Sequence, residues 1–400
     1  MGRKVFITGL GTLSAIGLNK TESFSSLKHN ISGIGPLRNI NTILDHLPVG
    51  EVSLSNTELM RLTRTDKKMA YSRTDLMGMI AAEEALNDAN ILDINEYKTG
   101  LVSANSVGGM GYTELNWKAY QDRSFKGQEL DLINSHDTGY STEKIANLLG
   151  ITDYLTTIST ACSSSTNAIM LGTRLIQKGV VDRVVAGGTD ALSKFTLNGF
   201  NTLMILDENI CKPFDKNRKG LNLGEGAGYV VLESEKSAKG KNIYCEVLGY
   251  ANSNDAYHQT ASSPDGEGAF LAMTKALEVA NLSPDQVSYI NAHGTGTHIN
   301  DLSEGTAIQR VFGENIPPTS STKPYTGHTL GACGGIEAVF SALAIQNDIA
   351  YANLNYKTQM DELSFEPIRT NDSSKKIDVV LSNSFGFGGN TSSLILSSIH

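Results

Sequence analysis

Hydrophobic and polar positions along the chain follow one repeated grammar: a short apolar run, a break at glycine or a polar cluster, then a stretch with 3.6-residue periodicity. Strands are predicted at residues 4–8, 100–105, 154–158, 182–188, 229–232 and 243–250, and again at 287–292, 319–322 and 377–383. Helical periodicity is predicted over residues 63–90, after Cys162, and over 267–280, 301–311 and 330–346. Alternating strands and helices, given twice, predict an internally duplicated α/β protein with its site between the halves. The halves are placed at residues 1–250 and 251–400. Neither a Pro/Ser linker nor a charge run separates them, so they are expected to pack together.

Glycine loops interrupt this pattern at points that invite other readings. After the first strand, Gly9-Leu-Gly11-Thr-Leu-Ser14 reads as a loop, but Ser14 stands where a dinucleotide fingerprint needs its third glycine, and no acidic residue ends a second strand about 20 residues on. The run Cys211 to Gly228 lacks the Gly-Lys-Ser/Thr ending of a phosphate loop and reads as structural. Four hundred residues with 40% apolar content support a large core, and no apolar run approaches the ~20 residues of a membrane span. The start of the chain reads as a core strand rather than a signal peptide, which points to the cytosol. Cys162, Cys211, Cys245 and Cys333 show no metal-site or redox spacing, so no metal is expected. A net charge of −9 argues against non-specific nucleic-acid binding while leaving room for a local basic patch.

Chemistry concentrates where strands end. Cys162 lies at or just before the first turn of its helix, where unpaired N–H groups and the positive end of the helix dipole favour a thiolate nucleophile. A small buried cysteine is the plain alternative. Two histidines change the balance: His293 and His328 each follow a strand and would emerge at the same sheet edge, where α/β sheets bind ligands. Such a trio could form a Cys-His nucleophile pair. It could equally hold a thioester carbonyl with two N–H donors while carbon dioxide leaves. Spacing does not decide between them.

The motifs Thr160-Ala-Cys162-Ser, Asn291-Ala-His293-Gly-Thr-Gly-Thr297, Lys323-Pro-Tyr-Thr-Gly-His328 and Asn383-Ser-Phe-Gly-Phe387-Gly-Gly together resemble β-ketoacyl-acyl carrier protein synthases, over nearly the whole chain. The resemblance implies a thiolase-like five-layer αβαβα fold, usually a homodimer, that joins an acyl chain to malonyl-acyl carrier protein with no resident cofactor, since phosphopantetheine arrives on the carrier. Cys162 would carry the acyl group, and its N–H with that of the gating residue Phe387 would form the oxyanion hole. His293 and His328 would promote decarboxylation. Lys323, paired with Glu304, would orient them; a purely structural ion pair is the alternative. Thr260, Thr295 and Thr297 would line the phosphopantetheine channel, and Val107 the acyl pocket. Arg64, Lys67 and Lys68 form a candidate docking patch for an acidic carrier. Gly-Gly-Asn390-Thr391, where many relatives have Gly-Gly-Thr-Asn, leaves the subfamily open to an aryl-polyene or other polyketide synthase paired with a chain-length partner; a non-catalytic chain-length subunit is the alternative of a different class, and Cys162 with both histidines argues against it. A coenzyme A thiolase would need a second catalytic cysteine, for which Cys333 is the only nearby choice.

Overall fold

The computed structural model describes residues 3–65, 71–122 and 134–399. Among them ten strands form a mixed sheet: β1 Val5–Ser14, β2 Thr99–Ala104, β3 Tyr154–Ile158, β4 Arg183–Asp190, β5 Gly226–Ser234, β6 Cys245–Asn254, β7 Tyr289–Asn291, β8 Thr319–Ser320, β9 Val379–Gly386 and β10 Asn390–Ser397. Their order is β3-β2-β4-β5-β1-β6-β10-β9-β7-β8. Read inward from either edge, the order is the same. In both halves the three outer strands pair parallel and the inner pairs are antiparallel. The duplication expected from sequence is therefore a duplication of topology. The halves meet where β1 and β6 share two residue pairs, Phe6↔Glu246 and Ile7↔Cys245. Residue 250 lies within β6, so the mirrored order divides the chain just before that strand.

The helices are α1 Lys20–Lys28, α2 Asn56–Leu62, α3 Arg73–Asp88, α4 Met110–Gln121, α5 Thr138–Leu149, α6 Ser164–Gln177, α7 Lys194–Thr202, α8 Glu267–Ala280, α9 His298–Phe312, α10 Lys323–Thr326 and α11 Cys333–Asn347. The layers follow from what each helix can bury. In α11 every residue from Cys333 to Ile345 is buried, as expected of a helix apolar on all sides. It lies against α6, and the pair fills the layer between the two half-sheets. One-sided helices cover the outer faces, with α3 and α5 on the first half and α8, backed by α9, on the second. This is the five-layer αβαβα arrangement.

Two local expectations change. The first strand does not stop at Thr8 but runs to Ser14. Gly9 and Gly11 are strand positions where a Cβ would lie 2.2 Å from the Ala85 carbonyl and 2.0 Å from that of Ala81, so their absent side chains let α3 lie directly on β1. Helical structure over 63–90 is also not continuous. Thr63 caps the end of α2, and α3 begins only after Ser72, whose hydroxyl and the Asp75 carboxylate form a capping box.

Candidate active site

Each site element leaves the carboxyl end of a strand. Past β3 the chain turns sharply through Ala161, held at φ +53°, to present Cys162 one residue before Ser163, the N-cap of α6. A non-glycine residue in the left-handed region is uncommon and needs support. Ser164 supplies it: its hydroxyl donates to the Ala161 carbonyl at 2.5 Å and accepts from the Thr160 N–H at 2.8 Å. Cys162 is left 6% exposed, facing the second half.

From the second half, β7 delivers His293 and β8 leads through α10 to His328. Both rings are buried, 5.5 Å apart between centroids and nearly perpendicular. Together with Cys162 they line a cavity of about 270 Å³, shared with Thr260, Thr295, Thr297, Phe200 and Phe387. Phe387 stacks on Phe200 at 5.6 Å between centroids. The residue before it, Gly386, lies so close to the nucleophile turn that a Cβ there would sit 3.1 Å from the Cys162 nitrogen. The amides of Cys162 and Phe387 thus belong to one small space. Thr295 and Thr297 share a 2.9 Å hydroxyl hydrogen bond.

The proton positions on the two histidines follow from their neighbours. The Leu330 N–H reaches His328 Nδ1 at 3.1 Å, so that nitrogen is an acceptor and the proton of the neutral ring is on Nε2. Lys323 Nζ lies 3.2 Å from His293 Nδ1 and 2.6 Å from Glu337 Oε1. Burial alone would lower the Lys323 pKa; the Glu337 carboxylate outweighs it and holds it above its ordinary value. An ammonium can only donate, so His293 Nδ1 is also an acceptor and Nε2 carries the proton. Burial, then the Lys323 charge, then His328 keep the His293 pKa well below 6.5, so this ring stays neutral. Two imidazoles whose Nδ1 atoms accept, leaving Nε2–H as donors, suit a developing oxyanion.

Glu304 is not the partner of Lys323. Its carboxylate accepts from the backbone of His293 at 2.9 Å and Gly294 at 2.7 Å, and from the Asn383 amide at 3.1 Å, and so shapes the histidine turn from behind. The ion pair goes instead to Glu337. Sequence reasoning missed that residue, although a lone acid inside the otherwise apolar α11 was an available signal. It also missed Asp190, at the end of β4, whose carboxylate accepts from the N–H groups of Ser106, Val107 and Gly331. Through these bonds Asp190 ties the β2 loop to the turn after His328.

Other candidates lie outside the cavity. Val107 is half-buried and packs against the apolar cluster that holds Leu192, Leu197 and Leu330, on which Phe200 of the cavity wall also packs. Arg64 is exposed just past α2; Lys67 and Lys68 lie outside the described residues. The loop after Cys211, expected to be structural, is more than that: Arg218 donates to the carbonyls of Asp215, Thr297 and His298 and braces the threonine turn, while Lys219 and Leu221 line the cavity itself. Cys333 does not line the cavity. Its thiol sits behind His328, where burial pushes it up to about 12, and it is not placed as a second nucleophile.

Comparison with known proteins agrees with this geometry. Residues 2–238 match the family described as beta-ketoacyl synthase, N-terminal domain, and residues 244–357 match its C-terminal domain. The chain is 36% identical to 3-oxoacyl-[acyl-carrier-protein] synthase 2 of Staphylococcus aureus (strain COL), covering 98% of both. Among solved structures it superposes with a TM-score of 0.93 on a chain of the ishigamide ketosynthase/chain length factor, 28% identical with 100% of both chains covered. It also superposes, with a TM-score of 0.88 at 27% identity and the same coverage, on a chain of AntDE:AntF, a type II PKS acyl-carrier protein in complex with its ketosynthase. With both family domains matched in order and the cysteine, histidines and lysine gathered on one fold, this chain belongs to the β-ketoacyl synthase family and is an acyltransferase-type condensing enzyme.

Proposed function

We propose that the chain catalyses decarboxylative Claisen condensation of an acyl group with malonyl-acyl carrier protein, as an elongation step of fatty-acid biosynthesis. The Cys162 sulfur attacks the acyl thioester of one carrier, and the carrier's phosphopantetheine thiol departs. Its own N–H and that of Phe387 receive the oxyanion, whose stabilisation is worth most in such a water-poor site. The malonyl thioester then enters along Thr260, Thr295 and Thr297, its carbonyl oxygen accepting from Nε2–H of His293 and His328. Breaking the bond to the carboxylate releases carbon dioxide and leaves an enolate held by those donors. The enolate carbon attacks the acyl-cysteine carbonyl, the new carbon–carbon bond forms, and the Cys162 sulfur is expelled. No resident cofactor is called for.

The observation that carries this reading is the occupied Nδ1 of both histidines, which turns both rings into donors facing the nucleophile's cavity. Exposed Arg64, next to Lys67 and Lys68 in sequence, suits an acidic carrier, and a homodimer in the cytoplasm is the expected state. The close superposition on a ketosynthase/chain length factor supports a second reading, a polyketide-type ketosynthase working with a chain-length subunit. Intact-protein mass spectrometry distinguishes them. Acyl-carrier proteins of varied chains should leave an adduct on Cys162 that malonyl-carrier protein discharges as a β-ketoacyl product, and Cys162→Ser should not. If no acyl donor modifies Cys162, the condensing reading fails; if discharge needs an added subunit, the second reading holds.

A further inference from the structure

We infer that Cys333 is a positioning residue for His328, supplying from behind the ring a second hydrogen-bond donor to Nδ1. This rests on the reading of His328 as an oxyanion donor. Cys333 opens α11 and is 2% exposed, with Sγ 3.5 Å from His328 Nδ1, a normal distance for a thiol donor. The Thr329 hydroxyl donates to the same sulfur at 3.4 Å, which fills its acceptor side and leaves S–H to point at the imidazole. The thiol keeps its proton, because burial, outweighing the attraction of Lys323, disfavours a thiolate there.

The other donor comes from the same turn. Leu330, at φ +54°, aims its N–H at Nδ1, while the next N–H, that of Gly331, is held by Asp190 at 2.7 Å. His328 Nδ1 is therefore clasped by Leu330 N–H and Cys333 S–H, with the Cys333 sulfur held by Thr329 and the residue after Leu330 held by Asp190. The lone pair of Nδ1 is engaged from two sides, so the ring keeps both its tautomer and its orientation while negative charge builds at Nε2–H. Cys333 would thus act through His328 without touching substrate.

The test compares Cys333→Ala with Cys333→Ser in the full chain. Acylation of Cys162 by an acyl-carrier protein should stay within about twofold of wild type in both, whereas condensation should slow about three- to tenfold in C333A, one hydrogen bond's worth, and recover in C333S. Imidazole ¹⁵N spectra of histidine-labelled enzyme, with His328 assigned by its loss in His328→Asn, give a readout independent of turnover. The Nδ1 resonance of His328 should move toward that of a non-bonded nitrogen in C333A and return in C333S. An unmoved Nδ1 resonance in C333A would overturn the inference, as would C333S matching C333A in spectrum and rate. Equal loss of acylation and condensation would do so too. A wild-type enzyme that forms no β-ketoacyl product would instead overturn the condensing reading, leaving the clasp to be judged by the spectra.

Discussion

Cys162 and the two histidines face one cavity, yet the two halves hold them by different physics. Around the nucleophile the supports are neutral: Ser164 bridges the turn, and Ser163 donates to the Asn390 side chain at 2.6 Å within a part-exposed group that includes Asn167 and Asn252. Around the histidines they are buried ionisable groups, namely the charged Lys323–Glu337 pair and the carboxyl of Glu304. Burying charge costs several kcal/mol per ion unless geometry returns it. Structural ion pairs such as Arg73–Glu225 and Arg183–Glu233 are buried elsewhere in the fold, but beside the cavity that cost falls mainly on the arm that handles a carboxylate and an enolate. The cysteine arm needs only a defined backbone turn.

The largest effects should come from the charged arm. Lys323→Met should lower condensation by about 100-fold, the order seen on losing a preorganised donor, while Cys162 still acylates. It should also cost about 3–5 kcal/mol of stability by stranding Glu337. Adding Glu337→Leu should restore stability to chemical denaturation but not turnover, which separates the role of the pair in folding from its role in chemistry.

Glu304 gives a pH test of the same contrast. Burial, working against its three donors, pushes its carboxyl from 4.5 up to about 7. Between those values the folded chain keeps a proton that the unfolded chain has lost, so this group's contribution to stability falls as pH rises from 4.5 to 7 and is flat above, by about 3 kcal/mol in all. Glu304→Gln removes that slope. Denaturation midpoints of wild type and variant should therefore differ most in favour of wild type near pH 5, with the gap narrowing by pH 7.5; parallel pH curves would show that Glu304 does not titrate in this window.

The smallest effect belongs to the neutral arm. Asn390→Ala removes hydrogen bonds shared with a part-exposed network and should cost about 1 kcal/mol, slowing Cys162 acylation a few-fold without altering discharge by malonyl-carrier protein. A large loss in the discharge step would blur the division between the arms.

What could be read from the sequence followed the same line. Backbone-built features announce themselves locally: strands ending in Cys162, His293, His328 and Phe387 were legible, because glycine and polar breaks after apolar runs mark turns at sheet edges. Features made by long-range pairing did not. Lys323 was assigned to Glu304, the acid near the histidine motif, but Glu304 is consumed by backbone amides and the true partner lies 14 residues beyond Lys323 on the central helix. Gly9 and Gly11 read as a loop because their reason for being glycine is the helix packed across them, 70 residues later in the chain.

The division of labour is tested most directly with His293→Ala, followed by intact-protein mass spectrometry in two stages. The variant should take an acyl group from acyl-carrier protein onto Cys162 at close to the wild-type rate. It should then hold that adduct when malonyl-carrier protein is added, with discharge slowed by about 10²-fold or more. A variant that cannot be acylated, or that discharges as fast as wild type, would contradict the account.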